Sequence, residues 1–167
     1  MKMLQYRLPK SWLLLLFVSV CGICAIAQEP KTNQAEGEEK VGKILDAQRY
    51  VFKAQSVHPT RGRVVQLNTD YDLKVSPDTI QSYLPYFGRA YSAPIGESGG
   101  PMDFVSKDFE YARKARRKGG WDISIMPKDG KGVREMFLVV FENGSASLRV
   151  TSNNREPISY NGYITEK

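Results

Sequence analysis

The chain has 167 residues, 41% of them hydrophobic, and carries 24 Lys and Arg against 18 Asp and Glu, a formal net charge of +6. Both of its cysteines, Cys21 and Cys24, fall within the first 27 residues. The rest of the chain therefore excludes disulfides, thiolate nucleophiles and cysteine-ligated zinc or iron–sulfur sites, and its length suits one domain with a hydrophobic core.

Residues 1–27 have the pattern of a secretory signal peptide. They combine a basic start, an apolar stretch over residues 12–20 and a small-x-small cleavage site that ends at Ala27. We expect the mature chain to begin at Gln28 and to be periplasmic or secreted. The basic residues of the signal are Lys2, Arg7 and Lys10.

Two alternatives apply to this segment. Lipid attachment at Cys21 is disfavoured because Val20 precedes it, where lipoprotein signals usually carry a small residue. An uncleaved anchor is disfavoured because the apolar run is shorter than the roughly 20 residues that span a bilayer. Cleavage removes three basic residues and leaves 21 Lys and Arg against 18 Asp and Glu, a net charge of +3 that does not indicate nucleic acid as a partner.

The region after the signal divides into a leader and one domain. Residues 28–37 are polar and contain proline and glycine, which predicts a flexible leader. Apolar residues at helical spacing predict a helix over 38–49, at the start of a single β-rich domain over 38–167.

Most of that domain has strand patterns. Residues 108–118 permit a helix or a strand, and the glycine pair that follows Lys118 favours a hairpin. We therefore predict a mainly β (α+β) fold: an antiparallel meander, strongly curved or closed into a small barrel, with the N-terminal helix packed on it. Strands are predicted at 50–56, 63–67, 71–75, 121–126, 136–141, 146–150 and 158–164.

Asn143-Gly144 predicts the most specific local structure. This dipeptide favours a two-residue type I′ hairpin, because both positions tolerate positive φ. The turn would pair Phe141 with Ala146, and would place Val139 opposite Leu148 and Phe137 opposite Val150 on an apolar inner face. Ser147 and Arg149 would lie on the outer face.

The run Tyr83-Leu84-Pro85-Tyr86-Phe87-Gly88-Arg89-Ala90-Tyr91, with Lys118-Gly119-Gly120-Trp121 downstream, resembles a family of exported bacterial proteins known as domain of unknown function 4251. The resemblance covers most of the chain after the signal. It implies a signal peptide and an envelope location, and it implies no activity, substrate or catalytic residue.

The aromatic residues of these two segments form one candidate site. They are predicted to wall one end of the barrel, where a small apolar ligand would bind. The alternative is that the rings close the core and hydrogen-bond through their hydroxyls. The candidate ligand-binding residues are Tyr83, Tyr86, Phe87, Tyr91 and Trp121.

Residues 96–100 match the G-x-S-x-G string of serine hydrolases, with Ser98 as nucleophile and His58 as the chain's single histidine base. About 140 residues accommodate neither the α/β fold nor the double barrel that such motifs need. The preferred interpretation is a glycine-rich loop. One histidine without cysteine also makes a transition-metal site unfavourable, and no cofactor is predicted.

Residues 113–118 form the strongest run of positive charge. Its partners in the cell envelope would be anionic glycans, lipid headgroups or another protein, and a solvated hairpin is the alternative. The candidate partner-binding residues are Arg113, Lys114, Arg116 and Arg117.

The leading functional hypothesis is a non-enzymatic binding or accessory domain of the envelope. The alternatives are a serine hydrolase that uses Ser98 and His58, and a structural or assembly factor without a pocket.

Overall fold

The computed structural model describes residues 32–91, 102–129 and 132–167. The predicted signal peptide, Cys21 and Ser98 lie outside these ranges. Within them, no helix is both long and apolar enough to span a membrane.

One helix and nine strands make up the described part of the chain. The helix, α1, is Thr32–Asp46. The strands are β1 Tyr50–Pro59, β2 Val65–Val75, β3 Ile80–Leu84, β4 Met102–Ser106, β5 Phe109–Ala115, β6 Trp121–Pro127, β7 Val133–Val140, β8 Ser145–Ser152 and β9 Ile158–Glu166. The predicted mainly β fold with one helix is confirmed.

The strands form one sheet in the order β4-β3-β2-β1-β9-β8-β7-β6-β5. All eight neighbouring pairs are antiparallel, so β4 and β5, at the two edges, run in the same direction. Only Lys107 and Asp108 separate these two strands in the chain. β4 and β5 are therefore two parts of one bent strand, which bonds first to β3 and then to β6 and curls the sheet into a nearly closed barrel.

Asp129 holds this bend in place. Its carboxylate accepts hydrogen bonds from the Ser106 hydroxyl and, at 3.4 Å, from the backbone N–H of Lys107. The bond from Ser106 lowers the pKa of the Asp129 carboxyl. The N–H of Lys128 donates to the carbonyl of Asp108 at 2.8 Å, which extends the β5–β6 ladder to the bend.

The inward faces of the strands fill the barrel with side chains. Strand residues alternate between the two faces, and the inward set is almost completely buried. Tyr160, a member of this set, donates from its hydroxyl to the carbonyl of Pro85 at 2.7 Å. The largest fully buried side chains are Leu45, Tyr50, Phe52, Leu73, Ile80, Met102, Ile123, Ile125, Met136, Leu138, Leu148 and Tyr160.

The helix begins earlier than predicted and ends earlier. Residues 32–37, assigned to a flexible leader, are helical, and α1 stops at Asp46 instead of residue 49. Gln48 has φ of 49°, a left-handed conformation that ends a helix. The stop is needed because Tyr50 already pairs with Val75 and Glu166 in the sheet.

The predicted register of the Asn143-Gly144 hairpin is wrong by one residue. Val140, not Phe141, pairs with Ala146, and Leu138 pairs with Leu148. The Gly144 N–H donates to the Phe141 carbonyl, and the Phe141 N–H donates to the Ser145 carbonyl. The loop therefore has three residues, with Gly144 at φ of 81° after a type I turn. This register buries Val140 and leaves Phe141 44% exposed.

The structure also settles two segments whose secondary structure the sequence left open or divided. Residues 108–118 form a strand and a turn, so the hairpin interpretation is confirmed. The predicted short strands 63–67 and 71–75 belong to one strand, β2, but its pairing with β1 jumps from Tyr71 to Gln66. The intervening residues bulge out of the ladder, which accounts for their turn-like composition.

A substitution at Gly162 tests the packing of this bulged region. β1 carries one extra residue against β9 between Ala54 and Ser56, and Gly162 faces Ala54. A Cβ at Gly162 would overlap the Lys53 carbonyl oxygen and lie 2.9 Å from the Lys53 carbonyl carbon. We expect Gly162→Ala to lower the free energy of unfolding by about 2 kcal/mol or more in urea melts, because backbone cannot yield cheaply.

The control for that change is Gly37→Ala. A Cβ at Gly37 meets its nearest atom at an ordinary 3.6 Å, and the residue is helical. Alanine there should raise the free energy of unfolding by up to about 1 kcal/mol. Equal effects of the two substitutions would contradict the close approach of β9 to β1.

The buried tyrosines predict alkaline unfolding. Burial raises the pKa of Tyr50, Tyr111 and Tyr160 above that of a free phenol. A phenol whose pKa is higher in the folded state stabilises the fold below its unfolded pKa of about 10, and this contribution is lost as the pH rises beyond it. We expect the free energy of unfolding to be flat from neutral pH to about 9 and to fall above about 10. Tyr50→Phe should reduce that slope, and a slope unchanged by the substitution would contradict burial of this hydroxyl.

Candidate functional site

Helix α1 covers one end of the barrel. Val41 and Leu45 are buried against the core, and Gly42 lies beside the ring of Trp121, which a Cβ at Gly42 would approach to 3.4 Å. At this end the turns of the β5–β6 and β7–β8 hairpins meet the helix. We call it the helix end.

The basic β5–β6 hairpin lies at this helix end, and two of its four predicted partner-binding residues are engaged within the chain. Arg113 donates to the Asp46 carboxylate and, at 3.4 Å, to the Gly42 carbonyl. Because Gly42 and Asp46 belong to the C-terminal part of α1, the guanidinium also complements the helix dipole. Lys114 is exposed.

Arg116 links the tip of the hairpin to its neighbours. Its Nε lies 3.1 Å from the Asp122 carboxylate, and its guanidinium carbon lies 5.5 Å from the centre of the Phe141 ring, a cation–π contact. Arg117 and Lys118, the next two residues, are exposed. The charge that remains available to a partner is therefore concentrated at Lys114, Arg117 and Lys118.

A cleft of about 530 Å³ opens beside these cations. Phe141 gives it an apolar wall, Lys118 a cation, and Asn143 and Ser145 polar groups. Asn143 Oδ1 accepts hydrogen bonds from the Ser145 N–H at 3.0 Å and from its hydroxyl at 2.7 Å, which fixes the shape of the turn. The lining residues are Gly37, Lys118, Gly119, Phe141, Glu142, Asn143 and Ser145.

Glu142 is the acidic residue of this cleft. A Cβ at Gly119 would meet the Glu142 carboxylate, so this carboxylate lies against the hairpin backbone. Gly119 has φ of 84°, which favours glycine on conformational grounds as well. Residues 142–145 are predictable from sequence only as a turn, because nothing in the sequence indicates that this turn meets α1 and the basic hairpin.

The structure does not bring the five predicted ligand-binding aromatics together. Trp121 lies at the helix end, whereas Tyr86 lies at the opposite end, where its hydroxyl donates to the carbonyls of Arg89 and Glu156 at 2.8 and 3.0 Å. The Arg155 guanidinium carbon is 5.6 Å from the Tyr86 ring centre, and burial raises the pKa of Tyr86. The Tyr86 side chain therefore links the segment after β3 to the segment before β9.

The other three aromatics are on the surface. Tyr83 packs its ring 5.3 Å from that of Tyr71, on strand β2, and remains 45% exposed. Phe87 and Tyr91 are 49% and 72% exposed. Of the three clefts found among the described residues, none is lined by these exposed rings, and Trp121 lines one beside α1.

His58 forms hydrogen bonds with two neighbouring side chains. Its Nε2 lies 3.1 Å from the Ser56 hydroxyl and 3.1 Å from the Asn161 amide nitrogen. Ser98, its proposed partner in a serine hydrolase, lies outside the described residues. In the part of the chain that the structure covers, no three His, Cys, Asp or Glu side chains are grouped to hold a metal ion.

This architecture, a nearly closed antiparallel barrel with a helix on one end, corresponds to a known family. The model of the family named "Domain of unknown function (DUF4251)" matches residues 32–164, so the chain belongs to that family. The resemblance drawn from residues 83–91 is confirmed. No curated protein matches the chain.

A solved structure has the same fold. The chain is similar to a crystal structure of a DUF4251 family protein from Bacteroides eggerthii DSM 20697, with 20% sequence identity and a TM-score of 0.56. The match covers 80% of this chain and 91% of that chain.

The contact between Arg113 and α1 yields a stability prediction. Arg113→Ala should lower the free energy of unfolding by about 1 kcal/mol, because one ion pair and one helix-terminal contact are lost. Amide exchange in the last turn of α1 should accelerate in the same variant. Arg117→Ala, at the exposed tip, is the control and should change stability by less than about 0.5 kcal/mol; an equal loss from both would contradict the role of Arg113.

Proposed function

We propose that this chain is an exported, non-enzymatic accessory domain that binds an acidic glycan of the cell envelope at the helix end. Export follows from the predicted signal peptide over residues 1–27. The binding surface consists of Lys118, Phe141, Asn143 and Ser145 in the cleft, together with the neighbouring exposed Arg117.

The observation that carries this proposal is the contrast between the inside and the outside of the barrel. Tyr50, Phe52 and Tyr160 are fully buried within the barrel, so their volume occupies the space that an internal ligand would need. The open cleft of about 530 Å³ lies outside the barrel, beside the strongest concentration of positive charge. This contrast favours an external partner over a small apolar ligand.

The chemistry of the cleft favours an acidic sugar. Lys118 and Arg117 offer cations for a carboxylate, while Asn143 and Ser145 offer polar atoms near an exposed aromatic ring, Phe141. Glu142 reduces the net charge of the cleft, so the cations of the hairpin tip are needed for affinity.

The non-enzymatic assignment is supported by the surroundings of His58. Among the described residues, the hydrogen bonds to its ring come from Ser56 and Asn161, whereas a catalytic triad needs a carboxylate behind the histidine.

Binding of oligogalacturonate, a carboxylated glycan, tests the proposal. Titration calorimetry at low salt should detect binding to the wild-type chain and not to neutral dextran. The double variant Arg117→Glu/Lys118→Glu should weaken binding at least about tenfold, and Phe141→Ala should weaken it with no change of charge.

The matched control is Arg63→Glu/Arg134→Glu, which makes the same change of charge at two exposed residues near the opposite end of the barrel. This control should retain more than half of the affinity. An equal loss in both double variants, or undiminished binding to neutral dextran, would contradict a specific site at the helix end.

A further inference from the structure

The outer edge of β5 carries backbone groups that have no partner among the described residues. In an antiparallel ladder, the N–H and C=O of successive residues point alternately toward one neighbour and the other. Bonds from the Arg116 N–H to Gly120 and from the Lys128 N–H to Asp108 show that even-numbered β5 residues face β6. The residues that face away from β6 are Phe109, Tyr111, Arg113 and Ala115.

The C-terminal half of this edge is exposed to solvent, whereas Phe109 and Tyr111 are half-buried. β5 stands at the end of the sheet and pairs only with β6 among the described strands. Residues 112–115 are all exposed. Because the side chain of Arg113 is only 28% accessible, much of the exposure of this residue comes from its backbone. An open edge of this kind is a template for another strand.

The side chains of β5 are self-complementary about Ala112. When two copies of the strand run antiparallel with a two-fold axis at this residue, Glu110 of each copy faces Lys114 of the other. Asp108 likewise faces Arg116. Within one chain, Arg116 also pairs with Asp122, and both Asp108 and Glu110 lie near Lys128, so the contacts of the dimer add to these ion pairs. Opposite charges directly across a strand pair are stabilising, and the small Ala112 side chains meet at the axis.

The same register also matches the backbone. It places Phe109 opposite Ala115 and Tyr111 opposite Arg113, and these are the residues with unpaired N–H and C=O groups. An axis at Arg113 would place this cation opposite itself, and an axis at Tyr111 would leave Glu110 opposite Ala112. The axis at Ala112 alone satisfies the hydrogen bonds and both charged pairs.

We propose that the chain forms a two-fold symmetric dimer through antiparallel pairing of β5 with β5 of a second copy, which joins two barrels into one continuous sheet. A closed two-fold contact of this kind uses the same surface on both subunits. The proposal goes beyond the glycan site, because it uses the body of β5 and leaves the tip at Arg117 and Lys118 free.

A charge swap tests the register. Sedimentation velocity of the full chain should show a concentration-dependent dimer. Glu110→Lys and Lys114→Glu should each raise the dimer dissociation constant about tenfold or more, because each creates two like-charged pairs by symmetry. The double variant restores opposite charges and should restore dimerisation. A wild-type chain that stays monomeric, single variants without effect, or a double variant that fails to recover would overturn the proposal.

Cross-linking at the axis is an independent test. The two Ala112 Cα atoms would be about 4.5 Å apart, within disulfide range, whereas the two Glu110 residues would be about 13 Å apart along the strands. Ala112→Cys should therefore give a disulfide-linked dimer on mild oxidation, and the equally exposed Glu110→Cys should not. The wild-type chain, treated in parallel, accounts for Cys21 and Cys24; cross-linking of both variants, or of neither, would overturn the proposal.

Discussion

The two-residue connection between β4 and β5 is the constraint on which the rest of the structure depends. These strands form opposite edges of a nine-stranded sheet, yet only Lys107 and Asp108 separate them. A flat sheet cannot satisfy this connection, so the sheet curls into a nearly closed barrel. Curling gives every strand one enclosed face, and side chains such as Tyr160 fill the enclosed volume.

A filled barrel determines where binding can occur. With its interior occupied, the proposed partners would bind at its outer surface, and the features suited to this lie at the helix end and along β5. Arg113 joins both regions, because its side chain fixes α1 while its backbone lies on the open edge. The bent strand thus closes the core, and its β5 part keeps an edge that is unpaired among the described strands and can accept a second copy.

The sequence predicts the elements of this fold better than their arrangement. Alternation at residues 121–126 and the turn after Lys118 correctly predict a hairpin, since local pattern and turn chemistry agree there. The register of the Asn143-Gly144 hairpin is not predicted correctly, because a shift of one residue places Val140 instead of Phe141 on the inner face, and both side chains are apolar. The placement of Trp121 and Tyr86 at opposite ends follows from strand order, which no local pattern contains. The cleft is missed for the same reason, since α1 and two turns assemble it.

Native mass spectrometry of the protein purified from its own host, compared with a denatured sample, tests the central claim most directly. A barrel filled by its own side chains predicts a native mass that is a whole multiple of the chain mass, with no small molecule lost on denaturation. A bound apolar compound, released when the chain unfolds, would contradict the filled interior and would favour a ligand site inside the barrel.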